Sequence, residues 1–522
     1  MKYITQIKLS NFKKFQDFRI DLNDGINVLI GDNEAGKSSL LTAVDLVLSG
    51  SKSKFENIGT ESLLNVACVQ SFMDGEKVIP NLPKMYVEVY LNEQENADLC
   101  GKGNSQKINC DGLRLVCEPS EDYHKEIAEI LEHPECDFPF EYYSVKFVTF
   151  SGEAYTGYKK FLKHILIDGS QINNEYAARE YIRSMYSAST NSIEKHKFEY
   201  EYRSKKTAFK NEILEPVNRK LGSFQFAVKT SSKSNLESDL DLVEDGISIE
   251  NKGKGRQCFI KTEFALRKND AGVILDLLLL EEPENHLSHV NMKKLIQQLS
   301  SAHKNQILIA THSNMICTRL NLRNAVMLGA TGSQPAFLKD LSTDTANFFM
   351  KAPDNCILEF ILSKKVILVE GDAEFILIEA LYKKITGGIA PEEDEIHIIS
   401  IGGTSFKRYM ELGKLLNIKT AAIRDNDKNH EQNCVENYKD EVTETIKVFA
   451  DRDNKRSTFE ICVYEDNRAV CDDLWAAGRR ALTVQEYMLS NKADVAFTLL
   501  DKKANELVVP KYIEEAIQWI RA

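Results

Sequence analysis

Two groups of residues in this 522-residue sequence have the types and the spacing to do chemistry. One is the glycine-rich stretch at 31–38, GDNEAGKS, and the other is a set of carboxylates that includes Asp425 and Asp427. Backbone N–H groups of a glycine loop bind phosphate, and clustered carboxylates hold divalent cations. The sequence therefore predicts a phosphate site and a metal site in one chain.

The phosphate site is predicted from the elements on either side of the glycine loop. An apolar run at 26–30 reads as a buried strand, and apolar residues follow the loop at helical spacing. Strand, loop and helix form the context in which GxxxxGK[ST] binds ATP with Mg²⁺. Lys37 is expected to reach the outer phosphates, and Ser38 to offer its hydroxyl to the magnesium ion. The expected ATP-binding residues of the loop are Gly31, Asn33, Gly36, Lys37, Ser38 and Ser39.

Two later apolar runs are expected to complete this site. The run at 273–280 reads as a buried strand and ends at Glu281 and Glu282, and another strand leads to His312. Glu281 is expected to hold magnesium through water, and Glu282 to orient or deprotonate the attacking water. His312 is expected to reach a γ-phosphate. A histidine at a strand end is more often structural when taken alone, so the order of the pieces supports this prediction.

That order resembles the ATPase heads of the ABC and SMC class, in which a large insertion separates the phosphate loop from the acidic strand. Such heads work in pairs, and a glycine-bearing signature on one subunit completes the site of the other. The resemblance implies this role for Gly253 and Gly255, with Gln257, although the usual serine is missing. Glu281 replaces the usual aspartate and keeps the charge. Whether ATP is hydrolysed or only bound stays open.

The insertion, at about 50–251, is too short and too weakly heptad-patterned for a long coiled-coil arm. It is expected to form a compact dimerisation or DNA-facing part, with a helical stretch at about 158–220. Residues 158–213 are rich in Lys and Arg with interleaved Phe and Tyr. This pattern is typical either of a solvated face of long helices or of a surface that follows a DNA or RNA backbone.

The carboxylates of the second half follow predicted strands. Glu370 comes directly after one apolar run, and Asp425 and Asp427 come after another. Strand, helix, strand, helix, strand implies right-handed crossovers and a parallel sheet, with ligands gathered at the carboxyl ends. The i, i+2 spacing of the two aspartates places both side chains on one side if the backbone is extended. Glu374 lies one helical turn beyond Glu370 and on the same face.

Four carboxylates at one edge of a sheet would repel one another unless divalent cations neutralised them. A magnesium or manganese site is therefore predicted, and a charged rim without metal is the alternative.

Three short stretches, LVEGDAE, IGGTSF and RDNDKN, resemble the Toprim domain of topoisomerases, bacterial primases and certain nucleases. An ABC-type head followed by a Toprim domain resembles the OLD (overcoming lysogenization defect) family of nucleases, which includes the Gabija nuclease subunit and some retron effectors. The resemblance implies an α/β fold, with an ABC-type ATPase domain at 1–355 and a Rossmann-like, parallel-sheet Toprim domain at 356–522. It also implies two metal ions, Mg²⁺ or Mn²⁺, held by Glu370, Glu374, Asp425, Asp427 and Glu460. The implied catalytic residues are Glu370, Asp425, Asp427 and Lys492, together with Glu282 of the head.

The function expected from this resemblance is that of an ATP-binding, metal-dependent DNA endonuclease or nickase. It implies a dimer or tetramer formed through the heads and a role in defence against phage. A helicase-like subunit, or a reverse transcriptase with its RNA–DNA product, is the possible partner. The alternative is an ATP-switched regulatory or scaffold subunit that cuts only within a partner complex, or not at all. An SMC-like repair protein is disfavoured by the short insertion.

Composition sets the remaining limits. A net charge of −12 argues against a protein coated with nucleic acid over its whole surface, but it allows a local basic channel. Eleven cysteines without a CxxC pair favour reduced thiols. Since the sequence has no signal peptide and no apolar run of about 18 residues, a cytoplasmic protein without a membrane partner is expected.

Overall fold

The computed structural model describes residues 1–522 except 134, 170–181, 184, 188, 222–223, 230–234, 267–274, 302–304, 330–333, 353–355, 404 and 478–480. Contacts divide the chain into two compact units. The N-terminal unit comprises Met1–Ile316 and Asn324–Phe337, and the C-terminal unit comprises Cys317–Arg323 and Leu338–Ala522. This division lies earlier than 355–356, where the sequence analysis places the domain boundary. Residues 353–355 lie outside the described residues, and the functional domain limits stay a prediction.

The N-terminal unit is built from one antiparallel and one largely parallel sheet, with a separate two-stranded ribbon. Its strands are β1 (Ile4–Phe12), β2 (Phe15–Asp21), β3 (Ile26–Ile30), β4 (Met85–Leu91), β5 (Cys100–Gly101), β6 (Cys110–Pro119), β7 (Tyr143–Thr149), β8 (His164–Asp168), β9 (Val243–Glu244), β10 (Ile247–Ser248), β11 (Leu277–Glu281), β12 (Gln306–Ala310), β13 (Ala325–Met327) and β14 (Ala336–Phe337). Its described α-helices are Lys37–Ser49, Lys52–Ile58, Thr60–Leu63, Val66–Met73, His124–Leu131, Ser192–Glu212, Glu215–Asn218, Leu236–Asp239, Lys254–Leu266 and His289–Ser301, and Asn314–Arg319 crosses into the second unit.

The antiparallel sheet has the order β2-β1-β4-β6-β5, and β7 pairs with β6. Strand β1 pairs with β2 on one side and with β4 on the other. Alternating apolar residues of β1, such as Ile7 and Leu9, are fully buried. The strands at 85–149, which belong to the predicted insertion, therefore complete a sheet that the first 21 residues begin.

The second sheet has the order β14-β13-β3-β12-β11-β8. Strands β3, β12, β11 and β8 are parallel neighbours, so the segments that follow them leave from the same edge. The prediction of a helical stretch at about 158–220 is wrong for β8, because Ile165 and Ile167 are buried in a strand that pairs with β11. Helix Ser192–Glu212 does lie in that stretch, and residues 170–181 lie outside the described residues.

The C-terminal unit contains a four-stranded, fully parallel sheet of order β16-β15-β17-β18. These strands are β15 (Lys365–Val369), β16 (Ile396–Ser400), β17 (Lys419–Ile423) and β18 (Ile446–Phe449). The α-helices of this unit are Thr343–Lys351, Ile357–Leu362, Asp372–Thr386, Phe406–Leu416, Phe459–Asp466, Arg468–Trp475, Val484–Ser490, Lys492–Lys503 and Lys511–Arg521. The parallel sheet predicted for the second half is confirmed. Within the described residues, no helix is long and apolar enough to cross a membrane.

A buried glutamine joins the two large sheets of the N-terminal unit. Gln306 begins β12 and is fully buried. Its Oε1 accepts from the Ile4 N–H of β1 at 2.8 Å, and its Nε2 donates to the carbonyl oxygens of Ile4 and Asn23 at 2.8 and 2.7 Å. The side chain thus bonds to three backbone groups, two on Ile4 and one on Asn23.

We expect Gln306→Ala to destabilise the protein by about 2–4 kcal/mol, since buried backbone groups left without partners each cost about 1–3 kcal/mol. Chemical denaturation would measure the loss. Gln70→Ala is the matched control, because Gln70 is exposed and its one bond goes to Asp74. Equal effects of the two changes would contradict this account of Gln306.

Candidate functional site

The phosphate loop follows β3 and leads into helix Lys37–Ser49, as the sequence predicts. Gly36 caps this helix in the left-handed region, with φ 98°. A Cβ atom at this position would lie 2.4 Å from Cζ of Phe15. Backbone conformation and space therefore both require glycine.

Lys37 is held inside the loop. Its side chain is buried, and its Nζ donates to the carbonyl oxygens of Gly31 and Asp32 at 2.7 and 3.0 Å. Asn33 is exposed in the loop, and Ser39 lies half-buried in the first turn of the helix. The loop thus places an ammonium group next to backbone N–H groups at a helix N-terminus, the arrangement that binds phosphate.

The end of the acidic strand meets the loop. Ser38 lies close enough to Glu281, the last residue of β11, for its hydroxyl to lower the pKa of that carboxyl. Burial raises the pKa of Glu281, and the charges of Asp168 and Glu282 add to this shift. The hydroxyl and the carboxylate expected to serve one magnesium ion are therefore neighbours.

Asp168 is a candidate that the sequence analysis missed. It ends β8 in register with Glu281 on β11. The available signal was the short apolar run HILI that ends in an aspartate, the same pattern as the other strand ends. The run lies inside the stretch at about 158–220, for which helices are expected.

Glu284 organises the neighbouring strand end and was also missed. Its Oε1 accepts from the hydroxyl of Thr311 at 2.6 Å and from the N–H of His312 at 2.9 Å. Glu282 lies beside them, with Oε2 accepting from Nδ2 of Asn285 at 2.7 Å. The acidic strand and the histidine-bearing strand are thus connected at the edge where the phosphate loop lies.

The predicted signature residues lie at the start of helix Lys254–Leu266. A Cβ atom at Gly255 would lie 2.2 Å from the carbonyl oxygen of His286, so this helix packs closely on the chain that follows β11. Gln257 is buried and donates to the carbonyl oxygen of Lys252 at 2.8 Å. Gly253 is exposed. Their role in the site of a second subunit stays a prediction.

In the C-terminal unit, four predicted carboxylates gather at the carboxyl edge of the parallel sheet. Glu370 directly follows β15, and Glu374 is buried in the first turn of helix Asp372–Thr386. Asp425 follows β17, and Glu460 lies in the first turn of helix Phe459–Asp466. Each helix N-terminus favours a negative charge in its first turn.

Burial, and to a smaller extent mutual repulsion, raises the pKa values of three of these carboxylates. Burial raises the pKa of Glu374 to about 7, and the charge of Glu460 adds to the shift. Burial raises the pKa of Asp425 to about 8, with a further contribution from Glu374. Burial also raises the pKa of Glu370. The cluster therefore holds protons at a pH where isolated carboxyl groups are ionised.

Lys492 is a cation that the structure brings to this cluster. Its Nζ lies 3.0 Å from Oε1 of Glu460, as an ion pair without the alignment of a hydrogen bond. Burial alone would lower the pKa of Lys492, but the charges of Glu460 and Asp425 raise it. The lysine that the resemblance to Toprim domains singles out is thus next to the predicted carboxylates.

Part of the cluster lacks hydrogen-bond donors. Among the described residues, Oε2 of Glu370 and Oε2 of Glu460 are buried and accept no hydrogen bond. In contrast, Oδ1 of Asp425 accepts from the Phe459 N–H at 2.7 Å. Buried anionic oxygens without donors are costly unless a cation compensates them. This donor set, made only of carboxylate oxygens, fits Mg²⁺ or Mn²⁺.

Asp427 departs from the expectation that it points to the same side as Asp425. Strand β17 ends at Ile423, and Asp427 has φ 49°, so the alternation of an extended backbone no longer applies. Its Oδ2 accepts from Nη2 of Arg424 at 2.8 Å, and the side chain is half-exposed. Within the described residues, no three carboxylate, imidazole or thiol groups are placed so that they could hold one ion. Arg424 was not singled out by the sequence analysis.

Comparison with known proteins agrees with this division of the chain. The family model "AAA ATPase domain" matches residues 1–317. The chain belongs to this family. The model "Overcoming lysogenization defect protein-like, TOPRIM domain" matches residues 361–427. An AAA ATPase domain followed by an OLD-like TOPRIM domain fits the OLD family and confirms the predicted α/β fold class.

Among curated proteins, the DNA replication and repair protein RecF of Oenococcus oeni is 35% identical over 89 residues, which are 17% of this chain and 23% of RecF. RecF of Alkaliphilus oremlandii is 27% identical over 96 residues, which are 18% of this chain and 26% of that protein. The chain thus matches about a quarter of the length of these relatives. Of solved structures, the C-terminal region of the Burkholderia pseudomallei OLD protein is 21% identical, with 31% of this chain and 98% of that chain covered and a TM-score of 0.25.

We expect Gly36→Ala to lower the affinity of the ATPase domain for ATP at least tenfold. The added methyl group meets Phe15, and the left-handed backbone is strained for alanine, so the loop must move. Titration with a fluorescent ATP analogue would measure the change. Gly25→Ala is the control, because a Cβ atom there meets nothing within 4 Å. Unchanged ATP binding by Gly36→Ala would contradict the assignment of the loop.

We also expect the metal-free protein to lose stability as the pH rises from 6 to 8.5. The carboxyls of Asp425 and Glu374 have folded pKa values of about 8 and 7, above the ordinary value of about 4. Their protonated forms support folding at low pH, and that contribution is lost as the pH rises through the folded values.

Thermal unfolding in EDTA and in Mg²⁺ would test this dependence. The stabilisation by Mg²⁺ should be larger at pH 8.5 than at pH 6, because fewer protons must leave the carboxylates. In EDTA, the unfolding temperature of the double variant Asp425→Asn/Glu374→Gln should fall less steeply with rising pH than that of the unmodified protein. A slope equal to that of the unmodified protein would show that these two groups do not cause it.

Proposed function

We propose that this protein is a metal-dependent DNA endonuclease or nickase of the OLD type whose cutting is controlled by its ATPase domain. The observation that supports it most is the cluster of buried carboxylates with Lys492 at the edge of the parallel sheet. The energetic cost of burying Glu374, Asp425 and Glu460 together is hard to explain by folding alone. A P-loop ATPase domain in the same chain supports control by ATP.

Glu370, Glu374, Asp425 and Glu460 would hold Mg²⁺ or Mn²⁺, and Asp427 would join them once it leaves Arg424. When bound, two such ions activate water and neutralise the charge on a phosphodiester. Lys492 would contribute a fixed positive charge where negative charge develops in the transition state. Glu370, which follows β15 at the sheet edge, would be one of the catalytic carboxylates next to the reacting phosphate.

The ATPase domain would bind ATP with Mg²⁺ through Lys37, Ser38 and Glu281, and Glu282 would orient the attacking water if ATP is hydrolysed. Pairing of two ATPase domains through Gly253 and Gly255 would complete each ATP site. The basic helix Ser192–Glu212, with exposed Phe198, Tyr200 and Phe209, fits a surface that contacts DNA. A defence role, with a helicase-like subunit or a reverse transcriptase as partner, belongs to this proposal by family resemblance alone.

One observation favours the second candidate, a regulatory subunit that cuts only within a complex. Asp427 is bonded to Arg424 rather than turned toward the other carboxylates. A protein in this state would bind DNA and ATP and would stay inactive until a partner or ligand changed that contact. Both candidate functions use the same metal-binding residues. They differ in whether these residues act in the isolated protein or only within a complex.

Incubation of supercoiled plasmid with the protein and Mg²⁺ or Mn²⁺ would test the proposal. We expect nicked or linear products from the unmodified protein and a loss of at least 100-fold in rate for Asp425→Asn or Lys492→Gln. Lys439→Gln is the matched control, since Lys439 is an exposed lysine of the same unit whose partner is Glu436. Equal cutting by all variants would remove the cluster from the mechanism. If the unmodified protein cuts no DNA but binds ATP, the second candidate is favoured.

A further inference from the structure

Beside the carboxylate cluster, the C-terminal unit contains a cavity of about 780 Å³ that the proposed reaction does not use. It lies between helix Phe406–Leu416, the chain at 433–441 and the start of helix Thr343–Lys351. Its volume is within the range of pockets that hold small ligands of nucleotide size. Four cations and three carboxylates line it, together with amide and hydroxyl groups.

Two of the lining cations have charges that the protein does not compensate. Arg408 donates to the hydroxyl of Thr345 at 3.3 Å and lies over the ring of Phe348. Lys414 donates to the carbonyl oxygen of Asp440. In the described part of the chain, neither cation lies within ion-pair distance of a carboxylate. Such a cavity favours an anionic ligand.

Two of the three lining carboxylates, Glu411 and Glu441, have partners in the protein, and one of them has an oxygen left for a donor from a ligand. Glu411 accepts from the N–H and hydroxyl of Ser342 and from the hydroxyl of Thr345, so both of its oxygens have hydrogen-bond donors. Glu441 lies 3.5 Å from Lys407, but its Oε2 is buried and accepts no hydrogen bond within the described residues. A ligand that carries N–H or O–H groups as well as a negative charge would satisfy it. Nucleotides combine both.

Arg424 connects this cavity to the carboxylate cluster. Its side chain lines the cavity, and Nε donates to the carbonyl oxygen of Asp425 at 2.9 Å. Nη1 donates to the hydroxyl of Tyr438 at 2.9 Å, and Nη2 donates to Asp427 at 2.8 Å. The bond to Asp427 involves one oxygen of a half-exposed side chain, so water and ligands can compete for it from the side of Asp427. A phosphate binds a guanidinium through two parallel bonds and competes well against such a contact.

We propose that this cavity binds the phosphate of a nucleotide, and that the bound phosphate draws Arg424 away from Asp427 and frees Asp427 for the metal at the neighbouring carboxylates. The phosphate belongs either to a free nucleotide or to the DNA strand being cut. The inference rests on the proposed function, because it names a control of the same metal site. It explains why the carboxylates do not yet form a metal-binding group of three.

Reciprocal binding measurements test this coupling. In a Lys37→Ala background, which removes nucleotide binding by the ATPase domain, the affinity for Mn²⁺ is measured alone, with dAMP, and with a 12-nucleotide phosphorothioate strand. We expect the ligand to raise Mn²⁺ affinity about tenfold, and Mn²⁺ to raise the ligand's affinity by the same factor. Coupling by dAMP identifies a free nucleotide as sufficient, and coupling by the strand alone identifies the DNA backbone.

Variants separate the cavity from direct contacts at the metal. Arg408→Gln/Lys414→Gln should bind Mn²⁺ normally but lose the coupling, and Lys439→Gln should keep it. Arg424→Gln should bind Mn²⁺ tightly without ligand and show no coupling. Because Arg424 is 93% buried and its loss could unfold the unit, Tyr438→Phe provides a second test, with weaker coupling expected.

The inference would be overturned if Arg408→Gln/Lys414→Gln showed undiminished coupling between Mn²⁺ and ligand binding. It would also be overturned if the protein with its cavity residues unchanged showed no coupling. In either case, DNA cutting that depends on Asp425 would leave the proposed function standing. If no DNA is cut but ligand and Mn²⁺ still raise each other's affinity, the proposed endonuclease function fails. The proposal that a ligand in the cavity controls metal binding then stands.

Discussion

The crowding of buried carboxylates at the edge of a parallel sheet is the constraint on which the C-terminal unit depends. Parallel strands β15 and β17 are neighbours, so whatever follows them is brought to one place. Here these residues are acids, and two helices add Glu374 and Glu460 from their first turns. Each buried anion makes ionisation of the next less favourable. The folded protein limits this repulsion by holding protons at neutral pH and by placing Lys492 beside Glu460.

Much of this arrangement could be predicted from the sequence, because it depends on local patterns. Apolar runs that end in glycine or in acids mark strands β3, β11, β15 and β17, and their order indicates a P-loop sheet and a parallel sheet. Glu460 and Lys492 could be placed only by family resemblance. They lie at helix starts without an apolar run before them, so no local pattern connects them to a strand edge.

Other features depend on contacts that no local pattern contains. Asp427 was expected beside Asp425 because alternation was extended past the strand, but β17 ends four residues earlier and the backbone turns. Arg424 acquires its role from Tyr438, which is 14 residues away, and Glu284 acquires its role from the end of a different strand. Side chains of this kind can be assigned only when the fold brings their partners to them.

The phosphate loop and the carboxylate cluster have one physical feature in common. In the ATPase domain, the ammonium of Lys37 donates to carbonyl oxygens of its own loop. In the Toprim domain, the carboxylate of Asp427 accepts from Arg424. Each of these two charges is therefore held by a neighbouring polar group, and in the proposed function a ligand would compete for it. A ligand then needs only to offer a stronger partner than the one in place, and the surrounding strands need not move. The ligand must supply only the difference in free energy between the bond already present and the bond that replaces it. Small movements of side chains can therefore be enough to control a reaction.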